Sequence, residues 1–328
     1  MLKKKYSYIF MILSLLLVIW IFWKIDFHKL GSLIVSLPPW IFVFLIFSTF
    51  FSILVQVWRV WILTKVYVPE IKFKELLSYH MISAFYTTFL PPASQDVIRS
   101  ALLSKKGNYS YIWGATILCR FSGLVTLLLF SVNGILVIDK SALPPHTAVS
   151  ILIIFGITVI ITLLSFSKTI TRPLRNSFGR FIPSKIFKII SDIRDGVYVY
   201  KKHKSVLIKF FLISILLQLV FIITNTVTIF SISDKFYFKE TIAFLPLIEI
   251  ITSAAVFTPQ GIGVREVLLL VFFKFLHLST EALGLYVLLI YTFSTFSRLL
   301  GVIPLYAHLI LKKAKKTPEI SDTQENKD

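Results

Sequence analysis

Long apolar runs alternate with short polar, lysine-rich breaks over almost the whole chain. Six runs are long enough to cross a hydrocarbon core of ~30 Å at ~1.5 Å per helical residue. They lie at Ser7–Trp23, Trp40–Leu63, Tyr111–Ile138, Ala148–Phe166, Val206–Phe230 and Leu285–Leu311. The apolar residues come as unbroken stretches and do not alternate, so helices are expected and a β-barrel is not. Two further runs, Leu76–Leu90 and Thr241–Phe257, stop at prolines, and a second short helix follows each, at Ser94–Leu103 and Val264–Leu276. These four pieces are short for a crossing. Paired, they predict two re-entrant helical hairpins with tips inside the membrane; the same pattern also fits a crossing helix followed by a surface helix.

The two proline breaks have matching surroundings. One is Phe89-Leu-Pro-Pro-Ala-Ser-Gln-Asp-Val-Ile-Arg99, and the other is Phe257-Thr-Pro-Gln-Gly-Ile-Gly-Val-Arg265-Glu266. Phe-Lys-Glu precedes each, at Phe73–Glu75 and Phe238–Glu240, and each is followed by a span with an Arg-x-x-Gly, Arg120…Gly123 and Arg298…Gly301. A span–hairpin–span unit therefore recurs, at about residues 40–138 and 206–311. Basic residues fix its expected orientation. With the N-terminus inside, the inner segments hold Lys3–Lys5, Lys65, Lys72, Lys74, Lys105, Lys106, the basic loop 167–205 and Lys312–Lys316. The outer ones hold only Lys24, Lys29, Lys140, Lys235, Lys239 and Lys274. This bias predicts both termini inside and two units of opposite orientation, an inverted repeat of the kind found in secondary transporters.

Composition agrees with an all-α polytopic integral membrane protein. Of 328 residues, 56% are hydrophobic and 15% aromatic, and mean hydropathy is +0.81. The formal charge of +19 does not point to nucleic acid, because most of the basic residues flank apolar runs. The one cysteine, Cys119, excludes an intrachain disulfide, and the six histidines are scattered without metal-ligand spacing. No metal or other cofactor is expected. Lys3–Lys5 and the run after it imitate a secretion signal, but Trp23-Lys24-Ile25-Asp26 offers no small-residue cleavage site, so a retained first span is expected.

Charge inside an apolar run costs roughly 2.5–3.5 kcal/mol at mid-bilayer and usually marks function. Pro91 and Pro92 end one helix, and Ser94 is placed to cap the next, leaving free N–H groups at the break. Gly261 and Gly263, after Pro259, allow positive φ just before Arg265. A helix N-terminus beside a guanidinium suits a phosphate or carboxylate. Arg99, Arg120, Arg265 and Arg298 are thus the candidate headgroup-binding residues, forming a cationic chamber where the two tips converge. Asp96, Glu249 and Glu266 are their candidate ion-pair partners, and simple neutralisation within the fold is the competing role.

Pro259-Gln-Gly-Ile-Gly263-Val-Arg265-Glu266 resembles the Pro-Gly-Gly-Leu-Gly-Val-Arg-Glu motif of the lysylphosphatidylglycerol synthetase transmembrane-region, or flippase-like domain, family. Phe89–Arg99 falls where that family has Pro-Gly-x-x-Gly-Glu-x-x-Arg. Thr116–Leu127 matches its Glu-Arg-containing span, and Ser297-Arg298-Leu-Leu its Tyr-Arg-Leu-Leu. Gln95, Asp96 and Cys119 depart from the pattern, which puts an acidic partner in the first copy in question. The family includes the membrane half of the multiple peptide resistance factor, linked to moving lysyl-lipids between leaflets. Its soluble lysyl-transferring half has no counterpart expected here, since only the polar stretch Lys312–Asp328 follows the single domain of residues 1–311.

The resemblance and the paired breaks together imply a protein of the cell membrane that binds and translocates an anionic phospholipid, aminoacyl-lipid or polyprenyl-phosphate headgroup. A second class is a non-transporting subunit that presents lipid to a separate aminoacyl- or glycosyltransferase. Enzymatic activity of its own is not expected, for no nucleophile–base grouping or nucleotide-phosphate loop is present. Within the basic loop, Ile186, Ile189, Ile190, Ile193 and Val197 recur at helical spacing among lysines and arginines. This predicts an amphipathic helix on the inner leaflet, or alternatively a plain cytoplasmic connector.

Overall fold

The computed structural model describes residues 27–138, 195–253 and 261–314, with Ile153, Gly156 and Ile157. Among these residues every regular element is helical. The helices are α1 Phe27–Ser36, α2 Trp40–Thr64, α3 Phe73–Thr87, α4 Ser94–Leu103, α5 Tyr109–Val137, α6 Lys204–Ser233, α7 Phe238–Ser253, α8 Val264–Phe275, α9 Thr280–Leu299 and α10 Val302–Ala314. Four stretches are long and apolar enough to cross a membrane: α2, α5, α6 and the α9–α10 run Thr280–Ile310. They coincide with four of the six expected spans, and the chain is a membrane protein of all-helical class. The expected spans Ser7–Trp23 and Ala148–Phe166 lie outside the described residues, apart from three positions of the latter.

Helix ends follow local chemistry. Asn108 caps α5 by accepting the Ser110 N–H at 2.9 Å, and Ser279 caps α9 by accepting that of Ala282 at 3.1 Å. The Ser279 cap explains why the last run begins at Thr280 and not at Leu285, where apolar residues become continuous. That run also breaks, for Leu300 and Gly301 separate α9 from α10. α1 was not anticipated; its Leu30 and the following Leu37 pack with Leu285 and Leu289 of α9.

Both proline-broken segments form hairpins. α3 ends in a tightened turn, with the N–H groups of Thr88, Phe89 and Leu90 each reaching the carbonyl three residues back. Leu90 cannot continue the helix ahead of Pro91. α4 then runs back beside α3, and Glu75 at the start of one arm meets Lys106 just past the other. In the second hairpin, the Tyr237 hydroxyl before α7 donates to the Leu276 carbonyl after α8 at 3.2 Å. Gly261 (φ 76°) and Gly263 (φ 92°) adopt the left-handed backbone foreseen for them. A side chain at Gly261 would strike Thr252 near the end of α7. Pro259 itself lies outside the described residues.

The two halves share a set of neighbours. Exchanging α2 with α6, α3 with α7, α4 with α8, and α5 with α9–α10 maps nearly every packed helix pair onto another. α2 and α6 pack along each other on the axis of this exchange. α5 packs on α7, and α9 and α10 pack on α3, so the long span of each half lies on the hairpin of the other. Glycines allow the close approach. A Cβ at Gly134 of α5 would fall 2.4 Å from the Ala243 nitrogen of α7, and one at Gly301 would fall 2.1 Å from the Met81 carbonyl oxygen of α3.

Of the amphipathic stretch in the basic loop, only its end is described. Val197 and Tyr200 are buried in the core with Val57, Leu63 and Ala115, and the Tyr200 hydroxyl donates to the Leu63 carbonyl at 3.1 Å. Gly196 sits directly against Gly114 and Ser110 of α5. With no side chain on either glycine, this segment beds into protein, so Val197 faces the bundle and not the lipid headgroups.

Candidate functional site

The arginines of the two halves form two groups. In the first half, Asp96 and Arg99 are one turn apart on α4 and bond at 2.6 Å, and the other Asp96 oxygen meets Arg120 Nε of α5 at 2.5 Å. Asp96 therefore does serve as the acidic partner that the altered motif had put in question. A third cation joins them. Arg59, on α2, lies beside Gly123, whose Cβ would be 3.8 Å from its guanidinium, and it feels the charges of Asp96, Arg99 and Arg120. Two guanidinium groups thus bond one carboxylate with a third in the same electrostatic neighbourhood, and the Nε atoms of Arg59 and Arg99 are buried without a hydrogen-bond partner. Arg59 stands outside the repeated blocks; its only sequence signal is a lone cation in the run Trp40–Leu63.

Ser94 does not act as the expected cap. Pro91–Ala93 already turn in helical sense, and both the Ser94 N–H (3.0 Å) and hydroxyl (2.6 Å) donate to the Pro91 carbonyl. With its hydroxyl held backwards, the side chain makes no cap bond to the N–H groups ahead of it.

In the second half one of the two expected acids, Glu249, pairs with an arginine and the other, Glu266, does not. Arg265 bonds Glu249 of α7 at 3.1 Å and lies over the Tyr291 ring at 5.8 Å. Glu266, its sequence neighbour, points elsewhere. One carboxylate oxygen accepts the Gly263 N–H at 2.5 Å, and the other accepts the Tyr291 hydroxyl at 2.5 Å. The reason is helical geometry: adjacent residues diverge by about 100°, and an acid at the third helical position reaches back to the cap. Glu266 is 2% exposed and holds the tip of the hairpin in place.

A cavity of about 240 Å³ lies between the halves. Arg265, Glu249 and Arg298 line it from the second half, and His80 and Gln95 line it from the first hairpin. Arg99 and Arg120 are not on its wall, because Asp96 draws them to the other side of α4. The groups stay in electrostatic contact through His80. This residue is 3% exposed and feels Arg99, Asp96 and Arg59 on one side and Arg298 on the other. Its Nε2 lies 3.3 Å from the Gln95 amide nitrogen, while its Nδ1 has no partner. Arg298 likewise keeps a buried Nη1 unpartnered. Neither the polar lining from α2 and α6 nor His80 was singled out from sequence, since serine, threonine and histidine within apolar runs carry little signal alone.

The arrangement places fixed, partly unsatisfied donors inside an apolar bundle. Such donors stabilise an anion strongly where water is scarce. Among the described residues no group of three or more histidine, cysteine, aspartate or glutamate side chains could hold a metal ion. A family described as the lysylphosphatidylglycerol synthase TM region matches residues 9–301. No curated protein and no solved structure matches the chain.

Proposed function

The chain belongs to the lysylphosphatidylglycerol synthase transmembrane-region family, and from that premise we propose that it binds the anionic headgroup of a membrane lipid between its halves and carries it between leaflets. The observation that supports this reading is the inter-half cavity, where Arg265 and the unpartnered Arg298 meet His80 and Gln95 of the opposite hairpin. On this reading the two halves form an inverted repeat, the hairpins are re-entrant, and the cavity is reached alternately from each side. The Asp96 cluster supplies a second positive field, behind the first hairpin, that draws a phosphate to the cavity.

The test is translocation of a fluorescent anionic phospholipid in liposomes holding equal amounts of folded protein. Arg265→Lys keeps the charge but loses the planar fork, so transport should fall yet persist. Arg265→Ala should nearly abolish it, whereas Lys274→Ala, at the far end of α8, should leave it intact. Full transport by a normally folded Arg265→Ala protein would make this arginine a structural charge. A wild-type protein inert alone, yet needed by a separate lipid-modifying transferase, would instead establish the presenting-subunit role.

A further inference from the structure

The chemistry of the cavity wall narrows the headgroup, resting on the reading just given. The wall contributed by α2, α6 and α9 is rich in hydroxyls and amides, and three of the hydroxyls have their hydrogen-bond directions fixed. Ser48 donates to the Leu45 carbonyl, Thr224 to Val220 at 2.7 Å, and Ser297 to Ser294 at 2.8 Å. Each hydroxyl proton is held by its own helix, which leaves the oxygen lone pairs as acceptors. Gln56 donates an amide N–H to Ser52 at 3.3 Å and keeps its carbonyl oxygen. This wall therefore asks for donors on the ligand, while Arg265 and Arg298 ask for an anion.

The donors it asks for are neutral ones. Among the described residues Glu249 is the one carboxylate on the wall and is engaged by Arg265, so with Arg298 the described lining carries a net positive charge. An ammonium group entering here would meet acceptors but also an uncompensated guanidinium. Hydroxyl groups meet the same acceptors without repulsion. The space of about 240 Å³ has room for a small headgroup. His80 adds a directional element. Its Nε2 faces the Gln95 amide and its Nδ1 is left without a partner.

We infer that the cavity selects a singly anionic phosphodiester headgroup bearing free hydroxyls, of the glycerol or sugar kind, over one bearing an amino-acyl ammonium group. The lipid's phosphate bonds Arg298 and the free edge of Arg265, and its hydroxyls donate to Thr224, Ser297, Ser48 and Gln56.

The experiment measures binding of defined lipids to the purified full chain in mixed micelles. The probes are phosphatidylglycerol, phosphatidylinositol, phosphatidylpropanol (the same phosphodiester without hydroxyls) and lysyl-phosphatidylglycerol. Phosphatidylglycerol and phosphatidylinositol should bind about tenfold more tightly than phosphatidylpropanol, the equivalent of one or two hydrogen bonds. Lysyl-phosphatidylglycerol should bind no better than phosphatidylpropanol. Thr224→Val and Ser297→Ala should remove the preference for hydroxyls, bringing phosphatidylglycerol and phosphatidylinositol down to the affinity of phosphatidylpropanol. Equal binding of all four lipids, lost in Arg265→Ala, overturns the hydroxyl inference and leaves the anion site standing. Tighter binding of the lysyl lipid also overturns it. If none of the four binds the folded protein, the headgroup reading on which this inference rests fails with it.

Discussion

Arg265 and Glu266 are adjacent and opposite in charge, yet each answers to a different partner. Arg265 is held by Glu249 and faces the cavity; Glu266 closes the hairpin tip through Gly263 and Tyr291. Substitutions should separate the two roles. Glu266→Ala removes a buried cap and strands the Tyr291 hydroxyl, so thermal stability should drop, by roughly 1–3 kcal/mol. Glu249→Gln should lower stability less and strengthen binding of an anionic lipid, because it frees Arg265; weaker binding in a folded Glu249→Gln protein would contradict that. Asp96→Asn leaves Arg59, Arg99 and Arg120 facing one another uncompensated, and should be the most destabilising of the three, as measured by a thermal aggregation assay in detergent. The four motif arginines were legible in sequence because charge is rare in apolar runs. Asp96 and Glu249 were legible as candidate partners, but the pairing was not, since which acid meets which arginine depends on how α7 lies on α8 and α4 on α5. Arg59 and His80 sit in no repeated block, and only tertiary packing brings them to the site.

At the scale of elements, prolines and hydrophobic run lengths located both hairpins and four long helices to within a few residues. α1 was missed because a ten-residue helix just ahead of the Pro38-Pro39 break looks like a loop before a span. The break between α9 and α10 was missed although its signal is local: Pro304 has no N–H for the Leu300 carbonyl four residues back, and Gly301 lies between them. Arg120…Gly123 and Arg298…Gly301 match in sequence, but their glycines do different things. Gly123 makes room beside the Arg59 guanidinium on an unbroken helix, whereas Gly301 permits a backbone contact at a broken one. Gly134→Leu and Gly301→Leu should each force helices apart at a backbone–backbone contact and destabilise by about 1–3 kcal/mol or more. Gly31→Leu, where a Cβ meets nothing within 4 Å, is the control and should be nearly neutral. Melting curves of the three variants in one detergent make the comparison.

For the whole molecule, orientation is the expectation that bears most on mechanism. A cysteine at Lys202 should resist a membrane-impermeant reagent in intact cells and react after lysis, while one at Lys235 should react in intact cells. Both positions are exposed, and the native Cys119 is buried and should stay silent. Labelling of the Lys202 position from outside would reverse the orientation inferred from charge. Matched residues in the two halves were legible in the sequence, but the interlocked packing of those halves was not, because weak sequence similarity says nothing about which half touches which. That interlocking predicts that the two halves depend on each other as the partners of a heterodimer do. The first half presents Gly134 to a hairpin it does not own, and the second presents Gly301 likewise. Cut between the halves, at a site within residues 167–194, each fragment produced alone should aggregate or be degraded. Produced together in one cell, the two fragments should find each other, co-purify without a covalent link, and recover lipid binding.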